Sequence, residues 1–272
     1  MNNNLILKNP DGSQTYYKKF RSKSPTSPTL LLLHGIGADS DMWEPQMHKY
    51  STLGYQVLVP DLFGHGLSSK LNNINLSDWV NQIHWLLEHK KVEKCILIGV
   101  SMGGVIAQSF VVANPHMVEK IIIADSFGEL STFKEKILGF SAVIGFNLFK
   151  VLGKKILSQG MRSTYKANYA TLAKNYFERV SLNIDLNQII LARKAINRIN
   201  VLEKLKSITI PALVIVGADF GQSFIEINRK IADSFPNSKF VILEKSIDPS
   251  NIVNPIEFDK QVLRFLTFSA LE

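Results

Sequence analysis

Short runs that are apolar at nearly every position alternate along the chain with longer stretches of helical periodicity. Residues 29–33, 55–59, 96–98, 118–124 and 212–216 have the length and composition of buried strands. Residues 240–243 read as one more. Residues 14–20 alternate instead and predict an edge strand after the Asp11-Gly12 turn, followed by a polar linker over 22–28. Ser77 is placed to cap a helix running to about Lys90, with Trp79, Ile83, Leu86 and Leu87 on one face. Met102 to Asn114 predicts a helix closed by Pro115, residues 223–234 another, and a last helix begins after Pro255. Strands that are continuously apolar are buried on both faces. The pattern therefore predicts an α/β fold, a mostly parallel sheet covered by helices on both sides.

The alternation stops after Asp125. Residues 126–205 carry helical periodicity and no convincing strand, and a buried strand resumes only at 212–216. The expected organisation is a core formed by 1–125 and 206–272, with 126–205 inserted as a helical cap or lid. The run 137–153 is marginal in length for a membrane span and interrupted by Ser141, Asn147 and Lys150, so it reads as a lid helix.

Composition changes this picture in three places. The 272 residues are 46% hydrophobic, enough for a sizeable core. The only cysteine, Cys95, lies on a buried strand, and the polar opening Met1-Asn2-Asn3-Asn4 has no apolar signal core, so a reducing, cytoplasmic location is expected. The formal charge of +8 is concentrated: residues 126–205 hold thirteen Lys and Arg against five Asp and Glu, a difference of +8, which leaves the rest balanced. Such a basic segment suits an acidic substrate, an acidic carrier or an anionic surface, and equally an ordinary solvated helical face. No nucleic-acid reader motif, metal cluster, phosphate loop or dinucleotide fingerprint accompanies it, so no nucleic acid, metal or cofactor is expected.

The chemistry centres on Gly99-Val100-Ser101-Met102-Gly103-Gly104. An apolar strand precedes it and a helix follows, the context in which a Gly-x-Ser-x-Gly turn holds a serine in a strained conformation above the sheet. Small residues at Gly99 and Gly103 let the turn close. The following helix points its positive end at the hydroxyl.

With His34-Gly35-Ile36-Gly37 and Trp43, Asp61-Leu62-Phe63-Gly64-His65-Gly66-Leu67-Ser68, residues 211–217 and Asn254-Pro255-Ile256-Glu257-Phe258, this turn resembles the α/β-hydrolase fold superfamily, specifically its esterase-like members with a helical cap. The resemblance covers about residues 29–266. It implies Ser101 as nucleophile, a histidine base, an acid that orients it, and an oxyanion hole from the backbone N–H groups of Ile36 and Met102. His34 and His65 belong to loop motifs and are expected to serve structural hydrogen bonds.

The chain departs from that pattern at two positions. Where the family usually has Gly-His, this sequence has Ile247-Asp248, and no histidine follows His116. The usual acid position is occupied by Phe220, with Asp219 one residue early. Asp125, after the strand that follows the elbow helix, stands at an alternative acid position. A carboxylate is shorter than an imidazole and offers no second nitrogen to an acid partner, so Asp248 is expected to be a poor geometric substitute for the base. Three readings follow: a relative of serine ester hydrolases with a disabled or atypical triad, acting on an apolar acyl or carbonyl compound; a lyase or cyclase reusing the pocket with Asp248 as acid or base; and a binding protein without turnover. The apolar residues of the insertion (Phe133, Ile137, Phe140, Ile144, Phe146 and Phe149) suit an apolar ligand, though packing of the lid onto the core is the default expectation.

Overall fold

The computed structural model describes residues 4–21, 24 and 26–267. Residues 1–3 of the polar N-terminus and positions 22, 23 and 25 of the linker lie outside the described residues. The chain begins with three strands, β1 (Asn4–Lys8), β2 (Gln14–Phe20) and β3 (Thr29–Leu33). From there strands and helices alternate: α1 (Glu44–Thr52), β4 (Gln56–Pro60), α2 (Leu76–His89), β5 (Cys95–Val100), α3 (Met102–Ala113) and β6 (Val118–Ala124). A helical segment follows, with α4 (Phe133–Leu152), α5 (Lys154–Thr164), α6 (Thr171–Val180), α7 (Leu186–Ile196) and the single turn α8 (Leu202–Leu205). The chain closes with β7 (Ala212–Gly217), α9 (Gln222–Ser234), β8 (Ser238–Leu243), α10 (Ser250–Val253) and α11 (Pro255–Thr267).

The eight strands form one sheet in the order β1-β2-β4-β3-β5-β6-β7-β8, antiparallel at β1, β2 and β4 and parallel from β4 onward. Side chains alternate between its faces, as the two-residue period of a strand requires. Leu31 and Leu33 of β3 join α2, α3 and α9 on one side, whereas Leu30 and Leu32 join α1 and α11 on the other. Both faces are apolar because both are covered, which is why the sequence shows continuous rather than alternating runs. The chain leaves β3 for β4 on one side, then crosses back to β5 on the other. The carboxyl ends of β3 and β5 therefore form a switch point of the sheet, where a crevice opens. Leu33 pairs with Gly99 across it, so the segments after both strands start side by side.

Three expectations change. Residues 14–20 are not the edge, because β1 pairs outside them; only Leu7 of that strand is buried, which left too little pattern to read. The cap of α2 is Asn75 rather than Ser77: the Asn75 N–H donates to Asp78 Oδ2 (2.7 Å), which places Leu76 and Ser77 inside the first turn. Residues 126–205 hold no strand, as expected, and one isolated bridge between Glu129 and Asn200 joins the two ends of the segment. Finally, the apolar residues of α4 do not mainly pack inward. Phe133, Ile137, Phe140 and Ile144 are all at least half exposed, whereas Phe146 lines one cavity beside Ser101 and Leu138 and Ala142 line another. No helix among the described residues is long and apolar enough to cross a membrane.

Candidate active site

Ser101 closes β5 and caps α3 with φ 55° and ψ −118°, a conformation that costs a non-glycine residue on the order of 1–3 kcal/mol. Its N–H donates to the Ala124 carbonyl (2.8 Å), and its own carbonyl accepts from the Ser126 hydroxyl (2.9 Å), which hold the turn in place. The glycines around it are required by close approach. A Cβ on Gly99 would come within 2.2 Å of the Gly103 carbonyl oxygen, and one on Gly103 within 2.2 Å of the Leu33 carbonyl oxygen. Both neighbours are backbone and cannot swing away. Gly103→Ala is therefore expected to cost about 2–3 kcal/mol or more in urea unfolding. Gly145→Ala, with open space around the new methyl in the middle of α4, should be neutral or stabilising by up to about 1 kcal/mol. Equal losses in both would contradict the close-approach account.

The side chain that meets the serine is Asp248. The Ser101 hydroxyl donates to Asp248 Oδ2 at 2.7 Å. This corrects the expectation that a carboxylate would be too short, because the loop after β8 brings the residue inward. The Tyr165 hydroxyl of the insertion donates to the Asp248 carbonyl (2.9 Å), and the next turn is tied down where the Ser250 N–H donates to Asp125 Oδ2 (2.7 Å). Burial pushes the Asp248 carboxyl well above the usual carboxylate range, and the charge of Asp125 pushes it further; the Ser101 hydroxyl and the Arg193 guanidinium pull it part of the way back.

Asp125 does not orient a base here. Its Oδ1 accepts from the Gly217 N–H (2.9 Å) and its Oδ2 from Ser250, so both oxygens bind backbone at the ends of β7 and α10. It acts on Asp248 through charge, and burial raises its own pKa. Phe220 is half exposed, packs on Phe224 with ring centroids 4.2 Å apart, and lines a cavity with Ser101, Asp125 and Asp248. Asp219 accepts from the Tyr169 hydroxyl instead of entering that cavity.

The histidines keep to structural tasks. His34 Nε2 accepts from the Leu62 N–H (3.0 Å), so the proton sits on Nδ1, which donates to the Gly35 carbonyl (2.8 Å). Burial pulls its pKa down to about 3 and that of His65 to about 4. Together with Asp61, which accepts from the Ser40 and Leu67 N–H groups, they set the loops under the crevice. No histidine lines either cavity at Ser101.

Those two cavities share Ser101 and Asp248. One, of about 160 Å³, runs between Gly35, Ile36 and Pro249 on the sheet side and Phe146, Met161 and Tyr165 on the insertion. The other, of about 110 Å³, contains Asp125, Arg193 and Phe220. Of the two residues expected to supply oxyanion N–H groups, Ile36 lines the first cavity with Ser101, and Met102 starts α3 directly after the serine, where its N–H has no carbonyl one turn back. A Cβ on Gly35 would touch the Ser101 Cβ at 3.4 Å, which shows how closely the two segments approach. A larger cavity of about 450 Å³ lies beside the Asp61 loop, but its acids are already partnered: Asp39 by the Tyr176 hydroxyl and Asp185 by Lys70. Sequence reasoning missed Tyr165 and Arg193. Nothing in their local sequence distinguishes them, since one is an aromatic and the other a basic residue among many in the insertion.

The family model described as alpha/beta hydrolase fold matches residues 28–255. Among solved structures, an esterase from Exiguobacterium antarcticum superposes with a TM-score of 0.84 at 18% identity, covering 97% of this chain and 99% of that one. The enol-lactonase from Burkholderia xenovorans gives 0.83 at 19%, covering 97% and 100%. Among sequences, an uncharacterised protein of Mycobacterium bovis is 32% identical over 114 residues, 42% of this chain; the match spans about a third (33%) of that relative's length. A pimeloyl-(acyl-carrier protein) methyl ester esterase from Pectobacterium atrosepticum is 24% identical over 246 residues, 87% of this chain and 93% of that one. With its sheet order, its strained serine at the switch point and a family match that runs from β3 past Asp248, the chain belongs to the alpha/beta hydrolase fold family.

Proposed function

We propose that this protein acts on the carbonyl group of an apolar acyl compound, using a Ser101–Asp248 pair where its relatives' family pattern calls for serine and histidine. The observation that carries the reading is the 2.7 Å hydrogen bond from the Ser101 hydroxyl to the half-buried carboxylate of Asp248. An exposed aspartate is a weak base, but burial raises its proton affinity toward that of a useful one. In the proposed step the Ser101 oxygen bonds to the substrate carbonyl carbon while its proton passes to Asp248. The carbonyl oxygen takes up the negative charge against the N–H groups of Ile36 and Met102. Collapse expels the alcohol, which leaves with the proton held by Asp248, and water repeats the sequence to release the acid. The helical insertion acts as a cap over the acyl chain, with Phe146, Leu157 and Met161 forming the apolar wall. Without an imidazole and its orienting acid, turnover is expected to be far slower than that of a complete triad.

The raised pKa of Asp248 favours a second reading, in which its neutral carboxyl donates a proton to a developing enolate or leaving group in a lyase or cyclase reaction. The pH dependence separates the two. A fluorophosphonate probe with a p-nitrophenyl ester series should label Ser101 slowly and faster as pH rises, since only the carboxylate form accepts the serine proton. Ser101→Ala should abolish labelling. Rates as high as those of a complete triad, or labelling that persists in Ser101→Ala, would overturn the proposed pair. Tight ester binding with no labelling at any pH would favour the lyase reading or a binding protein.

A further inference from the structure

Arg193 projects from α7 into the 110 Å³ cavity that also holds Ser101 and Asp248. The walls around it are apolar, supplied by Phe127, Leu130, Phe220 and Ile227. Its Nε is buried with no hydrogen-bond partner, and the guanidinium makes no hydrogen bond or ion pair among the described residues. Its one close polar contact is with the face of Phe127, whose ring centroid lies 5.6 Å from Cζ. Nearly all the other basic side chains of the insertion are exposed, where water serves as partner. Arg193 is half-buried, with its Nε enclosed and its charge held against apolar walls without a counter-ion, an arrangement that is costly because the guanidinium keeps its charge and its five donors.

From this we infer an anion subsite: Arg193 binds the carboxylate of a substrate whose carbonyl lies at Ser101. The inference rests on the carbonyl chemistry proposed above and narrows it to acyl compounds that carry a second, anionic end. The two negative candidates already in the cavity do not fill the role. Asp125 has both oxygens on backbone N–H groups, and Asp248 faces the serine; it influences Arg193 through its charge without forming an ion pair. A planar fork in an apolar pocket matches a carboxylate in two parallel hydrogen bonds. The cavity has room for such a group with only a short carbon spacer, at about 30 Å³ for each water-sized unit. The substrate class is therefore a short ω-carboxy ester or ketone rather than a long neutral lipid.

The test uses the full chain and the methyl esters of succinic, glutaric and adipic acid, each as the monoester with a free carboxylate and as the neutral diester. Binding is read by calorimetry and by protection of Ser101 from the fluorophosphonate probe. At one spacer length the monoester is expected to bind about 10–100-fold more tightly than its diester. Arg193→Met should bring that ratio to about one, the loss falling on the monoester, and Arg193→Lys should restore part of it. Thermal melting is the folding control for both variants, and the wild-type ratio needs no variant at all. Diesters that bind with no preference for the monoester, or a preference that survives in Arg193→Met, would overturn the anion subsite and leave the carbonyl site standing. Failure of every ester to bind or protect would overturn the carbonyl site and the subsite with it.

Discussion

Replacing Asp248 with histidine and Phe220 with aspartate together should raise p-nitrophenyl ester hydrolysis by about 10²–10⁴-fold, the usual range for a positioned general base. Position 248 already reaches the serine hydroxyl, and the elbow and the two amides proposed to bind the oxyanion are untouched by the substitutions. What is missing is an imidazole and the group that fixes its tautomer. Phe220 shares a cavity with Asp248 and is half exposed, so a shorter polar side chain is tolerated there. Asp248→His alone is expected to gain much less, because an imidazole without an orienting acid populates the wrong tautomer. The single variant also tests Asp125. If it matches the double, Asp125 has exchanged one of its backbone partners for the new imidazole and serves as the acid from the end of β6. If neither exceeds the wild type, positions 248 and 220 are not the sites that a complete triad would occupy. Steady-state kcat/KM on one ester across pH 6–9 decides among these outcomes.

The parts of this molecule that could be read in the sequence are those set by backbone sterics and continuous burial. Gly99 and Gly103 announce the turn because no other residue fits against Gly103 and Leu33 backbone. The strands at Leu30–Leu33 and Leu213–Val216 announce a covered parallel sheet because every position is apolar. β1 was illegible for the opposite reason: it buries one side chain, and a strand on the rim of a sheet needs no more. The site was half legible. The sequence places Asp248 in the loop where a base belongs, but the reach of that loop is decided by contacts far away in the chain. Tyr165 holds its carbonyl from α5's end, and Asp125 anchors the turn after it. The significance of Arg193 could not be seen at all, because it lies in what its guanidinium lacks in three dimensions. The exposure of Phe133, Ile137 and Phe140 was likewise hidden, since helical periodicity tells which residues share a face but not whether that face is covered.

Asp248→Asn should abolish serine labelling and at the same time stabilise the protein, increasingly so as pH rises. The two effects have one cause. The carboxylate is costly where it sits, buried and next to Asp125, and that same cost makes it a base. Asparagine can accept the Ser101 hydrogen bond through its amide oxygen but cannot take the proton, so labelling should fall to the level of Ser101→Ala. For stability the sign follows from proton counts. The folded-state pKa lies above the ordinary value of 3.8, so over the window from about 3.8 up to that raised pKa the native state binds more protons than the unfolded chain. Unfolding free energy from this group therefore falls as pH rises through the window, and the full penalty is reached above it. Asparagine has no such dependence. The variant and the wild type should melt together near pH 3, below the window, and separate by several degrees by pH 8. Asp125→Asn is expected to behave differently and lose stability throughout, because its amide nitrogen would confront the N–H of Gly217 or Ser250 that the carboxylate now accepts. His34 and His65 work against the trend on the acid side: burial holds their pKa values at about 3 and about 4, below the ordinary 6.5, so both proteins lose stability equally as pH falls from 6.5. The difference between the two melting curves removes that common term. A wild type that melts as high as Asp248→Asn at pH 8 would show that the Asp248 charge is better compensated than its surroundings indicate, and with it the proposed base would lose its source of strength.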